Sequence, residues 1–131
     1  MPSRTLWSTD YEKDGDNLLF VPYERAEYMK IPTSEQWQEL MRFCKWEYKV
    51  DSADDFNWAK CIGPNGNFIQ FNRTGLKIAD TKRDDWHAYW WIEEDDTHKA
   101  AHMYKNKHRT DVRNLLEQMF SGYHLPVRLV R

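Results

Sequence analysis

The sequence predicts one α+β domain, and three observations carry that prediction. Thr33 followed three residues later by Gln36 is a capping-box pattern, and it opens the clearest amphipathic helix in the chain. Beyond that helix come short segments of apolar alternation bounded by turn residues, the pattern of strands. No linker, repeat or low-complexity stretch interrupts the 131 residues, so residues 1–131 are read as a single domain.

Taken in order, residues 1–31 read as irregular, with a short extended piece at 18–21 before Pro22. From Thr33 to about Cys44, Trp37, Leu40, Met41 and Cys44 fall at i, i+3, i+4 and i+7, one apolar stripe of a helix. Trp46, Tyr48 and Val50 then alternate with Lys45, Glu47 and Lys49, which predicts a half-buried strand. Residues 56–62 and 67–71 flank Gly63-Pro64-Asn65-Gly66 and predict a β-hairpin. Further strands are expected at 86–92 and 100–105. The stretch 111–120 is ambiguous, because Val112, Leu115, Leu116 and Met119 carry helical spacing. The chain closes in an extended segment, 125–130.

Composition limits the function classes. Hydrophobic residues make up 40% and aromatic residues 15%, including seven Trp, enough for a real core. Nineteen Lys and Arg against 21 Asp and Glu give a net charge of −2, which argues against nucleic acid as the partner. No apolar run is long enough to span a bilayer, and no basic-then-apolar leader opens the chain, so neither membrane insertion nor secretion by a signal peptide is expected. Synthesis in the cytoplasm is expected, with assembly into a virion or export by another route as the way to a surface. Cys44 and Cys61 are expected as buried thiols, although one bridge between them is possible.

The residues also resemble a family. MPSRTLWS at 1–8 is similar to the LPSGTLWA opening of the Fibrobacter/Bacteroidetes major paralogous domain. IPTSEQWQEL at 31–40 resembles its helix, CKWEY at 44–48 the following C-x-W-x-(W/Y), and GPNGNFI at 63–69 its GPNGNSI. Tyr89-Trp90 stands where YWSS is expected, and PVRLV at 126–130 resembles the terminal motif. The resemblance covers nearly the whole chain. It implies a C-type-lectin-like fold, related to formylglycine-generating enzyme and to retroelement variable proteins, with one main amphipathic helix, twisted antiparallel strands and a C-terminal closing strand. It implies a binding or surface-display role rather than catalysis. The sequence departs from the family at Trp91-Ile92, where small residues are usual, and in the charged stretch 105–120.

No glycine-framed serine nucleophile is present, and neither cysteine matches the late position used by the formylglycine-generating group, so a catalytic residue is not assigned. His98 and His102 have i, i+4 spacing but lack the glutamate of a zinc-peptidase helix and read as surface histidines. Glu93-Glu94-Asp95-Asp96 reads as a solvated acidic turn rather than a calcium site, so no metal or cofactor is expected. On a strand, Trp86, Ala88, Trp90 and Ile92 face one way and His87, Tyr89, Trp91 and Glu93 the other. The first set is expected in the core. The second offers either a second packed layer, against Leu115 or Met119, or an aromatic contact platform. The platform reading gives a binding surface for a protein partner or surface glycan. In it, Tyr89 and Trp91 supply apolar area, and Glu93, Asp95, His102, Lys105 and Arg109 form the polar rim. A phage particle component, an adhesin and a retroelement-diversified binder are the settings such a module suits, with an enzyme as the competing class.

Overall fold

The computed structural model describes residues 6–50, 56–95, 97–105, 112–120 and 122–131. Among them 51% lie in strands or bridges and 12% in helices, so the chain is a β protein. This overturns the α+β, C-type-lectin-like expectation. The amphipathic helix is present, but it lies beside four small antiparallel sheets that make up most of the fold.

The helix forms where the capping box requires. α2 spans Ser34–Phe43, with Thr33 Oγ1 accepting from Gln36 N at 3.2 Å and Gln36 Oε1 accepting from Thr33 N at 2.9 Å. The other helix, α1, is a single turn at Tyr23–Ala26. Before it, β1 (Lys13–Asp14) and β2 (Asn17–Leu18) make a small hairpin within a stretch expected to be irregular.

After α2 the chain builds β3 (Lys45–Val50), β4 (Phe56–Ile62) and β5 (Phe68–Asn72), one sheet with β4 in the middle. The β4–β5 turn closes with Gly63 N donating to Asn67 O at 2.9 Å, which is the expected hairpin. β6 (Leu76–Ile78) and β7 (Thr81–Arg83) follow and pair with each other, and β6 pairs on its other edge with β11 (Tyr123–His124). Their apolar signal is only Leu76 and Ile78, too short for a pattern to register. The central sheet is β8 (Ala88–Glu94), β9 (Thr97–Lys105) and β10 (Val112–Gln118), with β9 in the middle.

The ambiguous stretch is therefore strand β10, paired with β9 from Val112↔Lys105 to Gln118↔Lys99. Val112 and Leu116 are four apart, a spacing that leaves two residues on one side of a strand as well as on one side of a helix. Pairing with β9 decided between the two.

β8 and β9 separate two cores. Ala88, Trp90, Ile92, Ala101 and Met103 pack on one side with Trp37, Leu40, Phe56, Cys61 and Phe71. Tyr89, Trp91 and Ala100 pack on the other with Val21, Tyr23, Leu76, Met119, Leu125 and Val127. The alternation predicted along β8 is thus correct from Ala88 onward, while Trp86 precedes the strand and is 50% exposed. The C-terminal segment does not form a closing strand. It runs past the N-terminal segment through isolated bridges, Val21↔Leu125 and Trp7↔Val130.

Candidate functional site

The expected aromatic platform is not a surface. Trp91 is 1% exposed, its indole N–H donates to Val21 O at 2.8 Å, and its ring meets Tyr23 edge-on at 5.3 Å. Tyr89 is 3% exposed. A five-residue apolar run, Ala88 to Ile92, is what a strand covered on both faces looks like, and that run was the available signal. Glu93 and Asp95 are exposed at the β8–β9 end, Asp95 in the left-handed region with φ 46°. Lys105 is half-buried at the end of β9. Arg109 lies outside the described residues.

Two of the expected residues do come together. Antiparallel register sets Tyr89 opposite His102, and Ala88↔Met103 brings His87 opposite Tyr104 on the same face. His102 in turn faces Leu115 of β10, two residues from Glu117. The four rings stack: Tyr89 on His102 at 4.2 Å, His102 on Tyr104 at 4.6 Å, and His87 on Tyr104 at 5.1 Å between centroids. His102, expected at the surface, is 7% exposed.

Hydrogen bonds run through this stack. His102 Nδ1 lies 2.6 Å from Glu117 Oε2, and His102 Nε2 lies 2.7 Å from His87 Nδ1. Tyr89 Oη donates to Asp84 Oδ2 at 2.9 Å and stands 3.5 Å from His87 Nδ1. Burial pulls both imidazoles below the ordinary histidine range; for His102 the bond to Glu117 opposes that shift and the neighbouring His87 adds to it. Burial, reinforced by Asp84, pushes the Tyr89 hydroxyl well up, so it remains a donor. These conditions assign the protons. A carboxylate only accepts, so His102 donates from Nδ1 and presents the Nε2 lone pair, and His87 must donate from Nδ1. The pair resists taking up a second proton after the first, because two imidazolium donors cannot face each other across 2.7 Å.

The loop between β5 and β6 holds the array. Thr74 Oγ1 accepts from Tyr89 N at 3.0 Å, and Thr74 N and Gly75 N both donate to His87 O, at 2.8 and 2.9 Å. Gly75 has φ +70°, and a Cβ there would stand 2.9 Å from Arg83 O, so only glycine fits. Asp84 also adopts a left-handed backbone, φ 53°, while its carbonyl accepts from His87 N at 2.9 Å. A non-glycine residue held there costs of the order of 1 kcal/mol or more, and such positions cluster at binding sites.

Asp84, Tyr89 and Glu117 open onto a cleft of about 270 Å³ between the β6–β7–β11 sheet and the end of β10. Arg83, Gln118, Met119, Phe120 and Tyr123 are among the residues of its polar and apolar walls, with Phe120 and Tyr123 edge-to-face at 6.0 Å. Among the described residues no three His, Cys, Asp or Glu side chains are grouped to hold a metal. Among the described residues that line the cleft there is no serine or cysteine to act as a nucleophile. The arrangement can accept hydrogen bonds from a donor and stabilise positive charge. No helix among the described residues is long and apolar enough to cross a membrane. The chain matches no family model, no curated protein and no solved structure.

Proposed function

We propose that this domain is a non-catalytic binding module that captures a cationic group of a protein partner, a lysine side chain or a similar alkylammonium, in the cleft at Asp84 and Glu117. The observation that carries the reading is the delivery of two carboxylates to one cleft walled by aromatic rings. Carboxylates accept charge-assisted hydrogen bonds from an ammonium, and ring faces attract it through their quadrupoles. With the imidazoles neutral, Asp84 and Glu117 outweigh Arg83, the one guanidinium among the described lining residues, so this lining favours a cation. Each carboxylate is already orientated, Asp84 by Tyr89 and Glu117 by His102, which lowers the ordering cost of binding.

The test is a nuclear magnetic resonance titration of the full chain with N-α-acetyl-lysine methylamide and with the same probe acetylated at Nε. The charged probe is expected to shift the signals of Tyr89, His102, Gln118 and Tyr123, and the neutral probe to leave them in place. D84N and E117Q should each weaken binding about ten-fold, the equivalent of one charge-assisted hydrogen bond. Equal binding of both probes, or full affinity in the D84N/E117Q double variant, refutes the reading.

A further inference from the structure

The most distinctive chemistry outside that cleft is a pair of thiols. Cys44 ends α2 as its C-cap, and Cys61 sits in β4 opposite Trp46, two residues beyond Cys44. The turn from helix into strand sets both thiols in the wall of one groove, and Cys61 Sγ lies 4.0 Å from Leu40 O. Both are free thiols, Cys61 buried and Cys44 half-buried. Both line a groove of about 530 Å³ whose walls include Leu6, Trp7, Leu40, Phe43 and Phe68. Leu6 and Phe68 are largely exposed at its rim, so the groove is open to solvent.

This donor set selects its own ligand. Calcium and magnesium require oxygen ligands, above all carboxylates, and none of the described residues lining the groove is an Asp or Glu. A structural zinc ion needs four ligands, yet no third His, Cys, Asp or Glu among the described residues joins the two sulfurs. What remains is a soft ion that thiolates prefer and that is satisfied by two of them.

We infer that Cys44 and Cys61 form a two-coordinate site for monovalent copper, Cu(I), supplied as the ion. Binding is ligand substitution without redox change: Cu(I) and two thiols give a bis-thiolate complex of charge −1 and two protons released to solvent. A metal ion deprotonates a coordinating thiol outright.

The experiment is an anaerobic titration of the reduced full chain with Cu(I) against a chromophoric Cu(I) chelator, with proton release followed in parallel. The expected result is one equivalent of Cu(I) held against the chelator and two protons released, with sulfur alone in the copper X-ray absorption shell. C44S, at the half-buried position, should lose that equivalent while keeping the wild-type melting curve. C61A should lose it as well, and because Cys61 is in the core its folding is checked by circular dichroism; if it unfolds, C44S carries the decision. Retention of the equivalent by C44S, nitrogen in the metal shell, or oxidation to a disulfide with no copper held each overturns the inference.

Discussion

Trp91 is tied to the molecule by its ring and its nitrogen together. Its indole N–H bond to Val21 O and its contact with Tyr23 span β8, the segment before α1 and α1 itself. Trp91→Ala should therefore destabilise the fold by roughly 3–5 kcal/mol, as large core truncations do. A urea titration checks this; a loss below about 1 kcal/mol would restore Trp91 to the surface role that its position on the second strand face suggested. The histidine pair makes a second prediction. His87 and His102 have depressed folded values, whereas the unfolded chain binds protons at the ordinary 6.5, so acid favours the unfolded state. Stability should be constant above that point and fall progressively as pH drops below it, towards the depressed folded values. Asp84, Glu117, Tyr89, Tyr104 and Arg83 surround the pair, and among the acids Asp84 and Glu117 temper the shift without reversing it. Urea titrations on both sides of pH 6.5 should show the loss, and H87Q/H102Q should flatten it.

At the scale of elements, the loop 73–75 matters more than its length suggests. It has no side chain in the cleft, but its amides and the Thr74 hydroxyl anchor His87 and Tyr89. Gly75→Ala forces a Cβ against Arg83 O at a left-handed φ, and should cost roughly 1–3 kcal/mol while weakening capture of the lysine probe. A Gly75→Ala protein that melts and binds like the wild type would show that the loop is a passive connection. α2 is the opposite case, an element with strong local instructions. Its capping box and apolar stripe are contained within twelve residues, so it was legible before any tertiary information. β10 was not, because its apolar spacing of four suits both periods and its partner β9 is reached only through register.

Across the whole molecule, the two ends of the chain hold each other. Ser8 N donates to Leu129 O and Glu12 N to Val127 O, both at 2.9 Å, while Arg131 N donates to Leu6 O at 2.9 Å. Arg128 is buried between the rings of Tyr11 and Phe71, its guanidinium carbon 4.2 and 4.3 Å from their centroids, and donates to Gln70 O at 2.8 Å. A desolvated cation between two rings and a carbonyl is worth several kcal/mol, and it joins the N-terminal segment, β5 and the C-terminal segment. Leu125 and Val127 are wholly buried in the second core. Deleting 125–131 should abolish cooperative unfolding, seen as a broad transition in circular dichroism; a truncated chain that melts as sharply as the full one would contradict this role.

What the sequence determined by itself was local. α2, the hairpin of β4 and β5 and the alternation of β8 follow from capping, turn chemistry and periodicity, which act over a few residues, whereas of the two thiols expected to be buried Cys61 is and Cys44 is half-buried. Tyr89 and His102 were named as candidates, Tyr89 for apolar area and His102 for the polar rim of an exposed platform, but both are buried. Tertiary structure alone decided the rest: the fold class, the covering of the second face of β8, and the meeting of His87, His102, Glu117 and Asp84. A covering layer comes from distant segments such as 21–26 and 125–127, and no pattern within β8 reports it. Strand register likewise decides which side chains meet, because a slip of one residue turns Tyr89 and His102 to the opposite face.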